Sequence, residues 1–467
     1  MYRIEKDLIG ELEIPAHAFY GIQTQRGINN FQISGQKLYN FPSIIKGLAY
    51  VKWAAVLANY ELDLVPEPIK DAVVAACKEV LTGKYDQEFP VDMIQGGAGT
   101  STNMCANEVI ANIALEIMGH QRGQYQYCSP HDVLNCSQST NDAYPAAIEI
   151  AISLANTNFA TQLQALSAAF RAKGKTYEDA IRMGRTHLQD AVPMTFGQPF
   201  NGYADSIDIE IENLATAAAN CLEISMGATA IGTGINAVPG YAELCTRKMI
   251  EVTGLPIKQA KNFIEATPDT SSFVSYSSAL KRLATKMSRF MNDLRMMSSG
   301  PRCGLGEINL PPMQAGSSIM PGKVNPVIPE SVNQTCFRVI GNDLTVAFAA
   351  EAGQLQLNVM EPVILFSILE SITIFGKALE GLRTKCVEGI TVNEEHCKKM
   401  VLNSIGIVTA LNPYIGYKNS TTFAQEALTN SLSVYDLILE HKVLTKDQLD
   451  TILNPKNMTQ PNALLKI

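Results

Sequence analysis

The sequence lacks several features by which common classes of protein are recognised. It has no basic stripe and a net charge of −8, so nucleic acid is not expected as a partner. None of the ten cysteines forms a CxxC pair, and the N-terminus is charged rather than apolar. No run of about 18 apolar residues is evident, so no membrane span is expected. These absences predict a cytoplasmic protein with reduced thiols.

Motifs of common cofactor-dependent enzymes are also missing. Neither the P-loop spacing nor the G-x-S-x-G elbow occurs. Gly232–Ala237 fits G-x-G-x-x-A, but the pattern around it indicates no βαβ unit, so no nicotinamide cofactor is expected. His396 and Cys397 form the only adjacent His/Cys pair, and one pair does not predict a zinc site. The sequence therefore predicts neither a cofactor nor a metal.

Helical periodicity dominates what the sequence does contain. From Tyr276 to Met297, apolar residues recur at steps of three and four, which predicts a helix roughly 33 Å long. Similar patterns predict helices over 148–171, 203–224 and 332–354, whereas strand patterns are few and short. Several long helices predict an all-α fold with a helical bundle. The length suggests about three domains, which we place at 1–138, 139–395 and 396–467.

Polar and glycine-rich stretches interrupt the helical pattern, and loops on a rigid scaffold commonly carry function. One of them, Ala315–Pro329 (AGSSIMPGKVNPVIP), has the composition of an anion-binding loop. Its glycines allow close approach to a ligand, and free N–H groups in such a turn bind anions. Lys323 adds a positive charge and Asn325 a donor. An ordinary surface loop is the alternative.

Three more stretches carry hydroxyl groups or a histidine. Ser139–Asp142 and Gly96–Asn103 each precede a helical pattern. Such residues cap helices, and a helix N-terminus with spare N–H groups also attracts a carboxylate, so both interpretations are compatible. His187 lies in Gly184–Pro193 (GRTHLQDAVP). A lone histidine is more often structural, and only its hydroxyl neighbours and its loop distinguish it from the other five.

The same loops carry a resemblance to a known family. The segments GTSTN, SQSTNDAYP, GRTHLQDA and GSSIMPGKVNP are similar, in order and separation, to the signature regions of the aspartase/fumarase superfamily. The resemblance covers nearly the whole chain. It implies an all-helical, three-domain fold whose long central helices form a twenty-helix core in a homotetramer. It also implies active sites that take loops from three subunits.

Within this superfamily the chain resembles aspartases more than fumarases. Fumarases typically carry a second serine in place of Thr140 and phenylalanine in place of Tyr144. Cys105 and Pro199 depart from the family pattern, which has Asn and Glu there, and a proline suits the first turn of a helix. The resemblance implies cofactor-free elimination of ammonia from L-aspartate to give fumarate.

The resemblance also implies a role for each site residue. Ser317 is the base that removes the β-proton, which leaves an aci-carboxylate with two negative charges. Donors fixed around that group stabilise the developing charge. The implied substrate contacts are Thr100, Ser139, Thr140 and Ser318 at the β-carboxylate, Lys323 and Asn325 at the α-carboxylate, and Asn141, Thr186 and His187 at the amino group.

Three alternatives share the scaffold. A fumarase would hydrate fumarate, and the Thr140 and Tyr144 pattern argues against it. A structural or binding protein would have lost the chemistry, and retention of Ser317, Lys323 and Asn325 argues against that. An argininosuccinate- or adenylosuccinate-type lyase would show a different context around its serine loop.

Overall fold

The computed structural model describes residues 1–461, which form a predominantly helical chain. The helices are α1 (Ile22–Asn30), α2 (Pro42–Glu61), α3 (Glu67–Leu81), α4 (Thr100–Ile117), α5 (Thr140–Thr176), α6 (Gly197–Asn220), α7 (Tyr241–Thr253), α8 (Phe263–Ala266), α9 (Ser271–Met297), α10 (Val327–Glu351), α11 (Glu361–Lys385), α12 (Glu394–Asn403), α13 (Val408–Ile415), α14 (Tyr417–Asn430), α15 (Val434–Glu440), α16 (Lys446–Ile452) and α17 (Pro455–Met458). The predicted all-α class is therefore confirmed.

The strands of the described residues pair two by two. They are β1 (Tyr2–Asp7), β2 (Gly10–Pro15), β3 (Ile181–Thr186), β4 (Gln189–Thr195), β5 (Glu223–Ile224), β6 (Lys258–Gln259), β7 (Ile308–Asn309) and β8 (Thr391–Val392). The pairs β1–β2, β3–β4 and β7–β8 are antiparallel, whereas β5–β6 is parallel. The β3–β4 hairpin occupies a stretch that the sequence presents as a loop.

The predicted long helices are present, with one correction. Helices α5, α9 and α10 contain the predicted ranges almost entirely, but α6 ends at Asn220 rather than at residue 224. Tight turns close its end, where the N–H of Cys221 donates to Ala218 O. The apolar pattern continues because Cys221, Leu222 and Ile224 are buried although they are not helical. Hydrophobic periodicity indicates which residues are buried, and here the buried positions continue beyond the end of the helix, so the predicted helix was too long.

Helix α11 is unusually apolar. Its extended range Glu361–Gly389 has a mean hydropathy of 1.6 in its most apolar window, and is long and apolar enough to cross a membrane by length and composition alone. Of that window, 61% is buried inside the structure. A packed core helix passes the same test, so the test by itself assigns no membrane span, and the absence of a span stays a prediction.

The chain divides into two compact units. Unit 1 comprises 1–160, 212–284 and 337–374, and unit 2 comprises 161–211, 285–336 and 375–467, of which residues to 461 are described. The boundaries fall inside the five longest helices, α5, α6, α9, α10 and α11. The three domains predicted from the sequence stay a prediction.

Buried polar contacts join the long helices within unit 1. The Tyr276 hydroxyl on α9 donates to Asn156 Oδ1 on α5 over 3.0 Å, and both groups are buried. The Asn342 amide on α10 donates to the Ser371 hydroxyl on α11, also over 3.0 Å. Because a buried polar group without a partner is costly, these pairs fix how the apolar helix faces align.

Within the described part of unit 2, apolar side chains pack together in two places. Phe170 on α5, Phe200 and Tyr203 on α6, and Phe290 on α9 pack ring against ring, with the Tyr203 and Phe290 centroids 4.4 Å apart. In the other place, Ile181 and Met183 of β3 pack among buried residues of helices α12 to α16. The β3–β4 hairpin is therefore anchored at its base by the C-terminal helices.

Candidate active site

The predicted site residues fall into two sets, one in each compact unit. The set in unit 1 is Thr100, Ser139, Thr140 and Asn141. The set in unit 2 is Thr186, His187, Ser317, Ser318, Lys323 and Asn325.

The serine loop, residues 316–325, is closed by backbone and amide contacts. The Gly316 N–H donates to Lys323 O over 2.7 Å, and the Asn325 side-chain amide donates to Gly316 O over 2.8 Å. A Cβ on Gly316 would lie 2.6 Å from Lys323 O and 2.9 Å from the Asn325 nitrogen, so only glycine fits. Asn325 thus holds the loop shut as it leads into α10.

Ser317 has a distinctive environment within this loop. Its Oγ accepts hydrogen bonds from the backbone N–H groups of Ile319, over 3.2 Å, and Met320, over 3.0 Å. Two donors directed at a hydroxyl oxygen favour its anionic form, which is what a serine needs to act as a base. Ser317 is half-buried, whereas Ser318 beside it and Lys323 are exposed. The loop therefore has the anion-stabilising geometry that its composition predicts.

Thr186 and His187 lie at the tip of the β3–β4 hairpin. Thr186 pairs with Gln189, so His187 and Leu188 form a two-residue turn. Both have left-handed backbones, with φ of 54° and 62°, as a type I′ turn requires. Non-glycine residues pay about 1–2 kcal/mol each for this conformation. The turn presents Thr186 and His187 at an exposed tip.

Buried charges brace this hairpin. Arg185, next to Thr186, forms an ion pair with Glu307 over 2.6 Å, and Arg182 forms a second over 2.9 Å. Glu307 is 1% exposed and lies just before β7, on the segment that leads to the serine loop. Removing one partner of such a buried pair would leave an uncompensated charge. Sequence reasoning missed this brace, since nothing local distinguishes Glu307 from a surface glutamate.

The unit 1 set is built on the N-terminus of α5. Ser139 Oγ accepts from the Asn141 N–H over 3.2 Å, which is the capping contact that the sequence allowed. Thr140 Oγ accepts from the Asn103 side-chain amide over 3.1 Å. Asn141 donates its side-chain amide to Ala230 O over 2.7 Å. Ser139, Thr140 and Asn141 are all half-buried, so a helix N-terminus and hydroxyls are available together.

The buried Asp142 carboxylate fixes the N-terminus of α5 through hydrogen bonds to the backbone. Its carboxylate accepts the backbone N–H groups of Ser139, Gly227 and Thr229, at 2.9 to 3.1 Å. Burial raises the pKa of Asp142 to about 6, while these N–H donors oppose the rise. The motif Asp142 belongs to was recognised in the sequence, but its bracing role depends on residues more than 80 positions away.

The glycine-rich segment 232–237 is adjacent to that brace. A two-residue strand, β5, does precede it, but α7 begins only at Tyr241 and the parallel pair β5–β6 is two residues long. A Cβ on Gly232 would overlap the backbone of Phe263 and Ile264. The glycine therefore serves close packing of the chain that braces α5, which explains the motif without a nucleotide.

Thr100 begins α4 after a sharply turned glycine loop. Gly97, Ala98 and Gly99 all have positive φ, and the Thr100 hydroxyl donates to Gly97 O over 2.7 Å. A Cβ on Gly99 would overlap the ring of Tyr144, which is 1% exposed. This contact packs the Thr100 loop against α5, whose first turn carries Thr140. Thr100 itself is exposed.

The two departures from the family pattern are accommodated. Pro199 is the third residue of α6, which is the first-turn position that suits proline. Cys105 is fully buried on α4, and its thiol contacts Glu88 O over 3.6 Å. All ten cysteines are free.

Metal-binding side chains do not cluster in the described residues. Among residues 1–461, no group of three or more His, Cys, Asp or Glu is arranged to hold a metal ion. His396 and Cys397, the adjacent pair noted in the sequence, contact the carbonyl oxygens of Leu305 and Glu307. They secure the segment ahead of β7.

Comparison with known proteins identifies the family. Residues 10–341 match the family described as Lyase, and residues 407–460 match Fumarase C C-terminus. Aspartate ammonia-lyase of Helicobacter pylori is 58% identical over 464 residues, which cover 99% of each chain. A solved structure described as fumarate lyase:delta crystallin from Brucella melitensis, bound to cobalt, is 48% identical with a TM-score of 0.95, covering 99% of this chain and 100% of that one. Class II fumarase from Schistosoma mansoni is 32% identical with a TM-score of 0.92 and the same coverage.

The chain therefore belongs to the aspartase/fumarase superfamily of lyases. The predicted family and its helical fold are confirmed. The aspartate ammonia-lyase is considerably more similar in sequence than the class II fumarase, in agreement with the residues at Thr140 and Tyr144.

Proposed function

We propose that this protein is an aspartate ammonia-lyase, which eliminates ammonia from L-aspartate to give fumarate. The observation that carries the proposal is the serine loop, where two backbone N–H groups converge on Ser317 Oγ. The full-length similarity to aspartate ammonia-lyase and the Thr140 and Tyr144 pattern support the choice of substrate.

The reaction needs a strong base and a site for a dianion. Ser317 Oγ takes the proton from Cβ, and the electron pair of that C–H bond moves into the β-carboxylate to form the aci-carboxylate. When this collapses, the C–C double bond of fumarate forms and the C–N bond breaks. Its electron pair leaves with the nitrogen, so the ammonium group departs as NH3. No acid is needed on that side.

The substrate contacts follow the two sets of residues. Thr100, Ser139, Thr140 and Ser318 bind the β-carboxylate, where hydroxyl donors gain strength as charge develops. Lys323 and Asn325 bind the α-carboxylate, and Asn141, Thr186 and His187 surround the amino group. These assignments are supported by the hydroxyls at the start of α5, the exposed tip of the hairpin and the closed serine loop.

We also propose that the protein is cytoplasmic and forms a homotetramer in which each active site takes loops from three subunits. Helix α10 supports the assembly, because Phe337, Leu344 and Phe348 lie on one face and are 61%, 58% and 67% exposed. Monomeric proteins rarely leave such an apolar stripe in water. The exposed Thr186 and His187 fit a site that another subunit completes.

A substitution on this stripe tests the assembly. Phe348→Glu places a charge on the exposed α10 face, so we expect it to dissociate the tetramer and abolish turnover while each chain stays helical. Light scattering measures mass, and circular dichroism measures helix content. Phe348→Leu is the matched control, expected to stay assembled and active. A fully active monomer would refute the shared active site.

Fumarate absorbance in the ultraviolet tests the activity. The wild type should produce it from L-aspartate but not from L-malate, with no added cofactor. Ser317→Ala should lose nearly all turnover, and Ser331→Ala is the control, because its hydroxyl only donates to Ile328 O within α10. Fumarate from malate alone would make the protein a fumarase. No product from either substrate would favour another succinyl substrate or a scaffold that has lost its chemistry.

A further inference from the structure

Lys52 is a buried ammonium group in an otherwise apolar stretch of α2. Its side chain is 1% exposed, and its Nζ donates to Asn103 Oδ1 over 2.7 Å and to Gln138 Oε1 over 2.8 Å. Burial lowers the pKa of Lys52 to about 7, against the attraction of Asp142. A lysine is rarely buried without a specific partner. Here both partners are side-chain amides rather than carboxylates.

The ammonium group determines the orientation of these amides. A lysine ammonium has three donors and no acceptor, so each amide must present its oxygen to Lys52. The nitrogen of Asn103 is thereby directed away from Lys52. It donates to Thr140 Oγ over 3.1 Å and to Asn135 Oδ1 over 3.0 Å. If Asn103 were flipped, its oxygen would face the Thr140 hydroxyl instead.

This orientation decides what the Thr140 hydroxyl can do. With Asn103 as donor, Thr140 Oγ is an acceptor in that contact, so its own proton is free for another partner. With Asn103 flipped, the Thr140 proton would be taken by the amide oxygen. A hydroxyl that binds a carboxylate must donate its proton. Only the orientation set by Lys52 leaves Thr140 free to do so.

We propose that Lys52 is a positioning residue, which holds the Asn103 amide so that the Thr140 hydroxyl donates its proton to the β-carboxylate of the substrate. The inference rests on the proposed function, since it takes Thr140 as a ligand of that carboxylate. Lys52 itself does not act as a base, because its buried Nζ is engaged by the two amides. The ammonium form enforces this orientation, because a neutral amine would have a lone pair able to accept from a flipped amide.

A substitution at Asn103 separates orientation from mere burial of charge. Asn103→Asp keeps an oxygen partner for Lys52 and pairs it with a carboxylate, but it has no N–H for Thr140. If Lys52 served only to be neutralised, this variant would keep its activity. If Lys52 orients a donor, the Asp oxygen will take the Thr140 proton, and kcat/KM for L-aspartate will fall by about 100-fold, as when one transition-state donor is lost.

A double-mutant cycle identifies Thr140 as the target. Thr140→Val should lower kcat/KM by a similar factor, and adding Asn103→Asp to it should cost no more than about 3-fold further, since residues that act through one another are not additive. Lys52→Met removes the orienting donor, so its kcat/KM should fall by a factor similar to that of Asn103→Asp and Thr140→Val. Lys52→Arg, also without an acceptor, should recover part of the loss. Thermal unfolding of each tetramer reports whether it is folded.

The outcomes separate the two hypotheses. If the wild type makes fumarate from aspartate and Asn103→Asp stays within about 3-fold of it, the role of Lys52 is refuted and the proposed function stands. The role of Lys52 is likewise refuted if the loss of kcat/KM in the double variant equals the product of the losses caused by Asn103→Asp and Thr140→Val alone. If the wild type leaves aspartate unchanged, both are overturned. Should Lys52→Met fail to fold, the cycle between Asn103 and Thr140 still decides the matter.

Discussion

Adding one methyl group at Gly316 should disable the serine loop without unfolding the protein. The new Cβ of Gly316→Ala would lie 2.6 Å from Lys323 O, 2.9 Å from the Asn325 nitrogen and 3.0 Å from the Lys323 carbonyl carbon. All three are backbone atoms, so no side chain can rotate away. The loop must open, which breaks the Gly316 to Lys323 contact and the Asn325 to Gly316 contact.

The expected loss follows from these two contacts. At about 0.5–1.5 kcal/mol each, they contribute roughly 1–3 kcal/mol to the closed loop. A displacement of about 1 Å at a catalytic group costs on the order of 100-fold in rate, or about 2.7 kcal/mol. We therefore expect kcat/KM for L-aspartate to fall about 100-fold in the fumarate absorbance assay. Because residues 317–324 are half-buried or exposed, the melting temperature should move by less than about 3 °C.

A second glycine provides the matched control. Gly202 lies in α6, and an added Cβ there meets no atom within 4 Å. Gly202→Ala should therefore keep full activity and be slightly stabilised, as alanine favours helix. If Gly316→Ala retained more than about a third of wild-type kcat/KM, the loop geometry would not govern the reaction, and the reasoning would be wrong.

Three further predictions concern buried groups of unit 1. Burial raises the pKa of Glu149 well above 4.5, and its Oε2 has no hydrogen-bond partner among residues 1–461, so the carboxyl destabilises the native state increasingly as pH rises above 4.5. Glu149→Gln should raise the melting temperature, and the gain measured by fluorimetry should be larger at pH 8 than at pH 5. Asp142→Asn, which replaces an acceptor of three backbone N–H groups, should cost about 1–3 kcal/mol in urea unfolding and about 10-fold in kcat/KM. Gly99→Ala should cost about 3 kcal/mol or more, because its backbone is left-handed and the Tyr144 ring occupies the space; equal stability would refute that packing.

The sequence predicted the helices well because their apolar faces repeat every three to four residues. It did not predict the β3–β4 hairpin, because the turn at His187 and Leu188 has neither glycine nor asparagine, the residues that normally announce a type I′ turn. The strand itself left a weak signal, since Ile181 and Met183 alternate on one face. Two buried positions were too few to be distinguished from a loop.

The site was predictable where chemistry is local. The hydroxyl residues at the start of α5 and the glycines of the serine loop can each be recognised from a motif of about ten residues. Lys52 and Glu307 do not, because their roles depend on partners such as Asn103, which is 51 positions from Lys52, and Arg185, which is 122 positions from Glu307. The one local hint was a lysine between the apolar residues of α2, four positions after the buried Leu48.

The donors to Ser317 are backbone N–H groups. The geometry around Ser317 Oγ therefore depends on the length of the serine loop rather than on which side chains it carries. Ile319 and Met320 contribute N–H groups, while their side chains are 84% and 47% exposed in the single chain. A loop of this kind is free to vary in the side chains at those positions and still stabilise the same anion. A gain or loss of a residue between Ser317 and Met320 would misdirect at least one of the two donors. Such a loop therefore tolerates substitution but not a change of length: different side chains at these positions can alter the rim of the site while the environment of the base is unchanged.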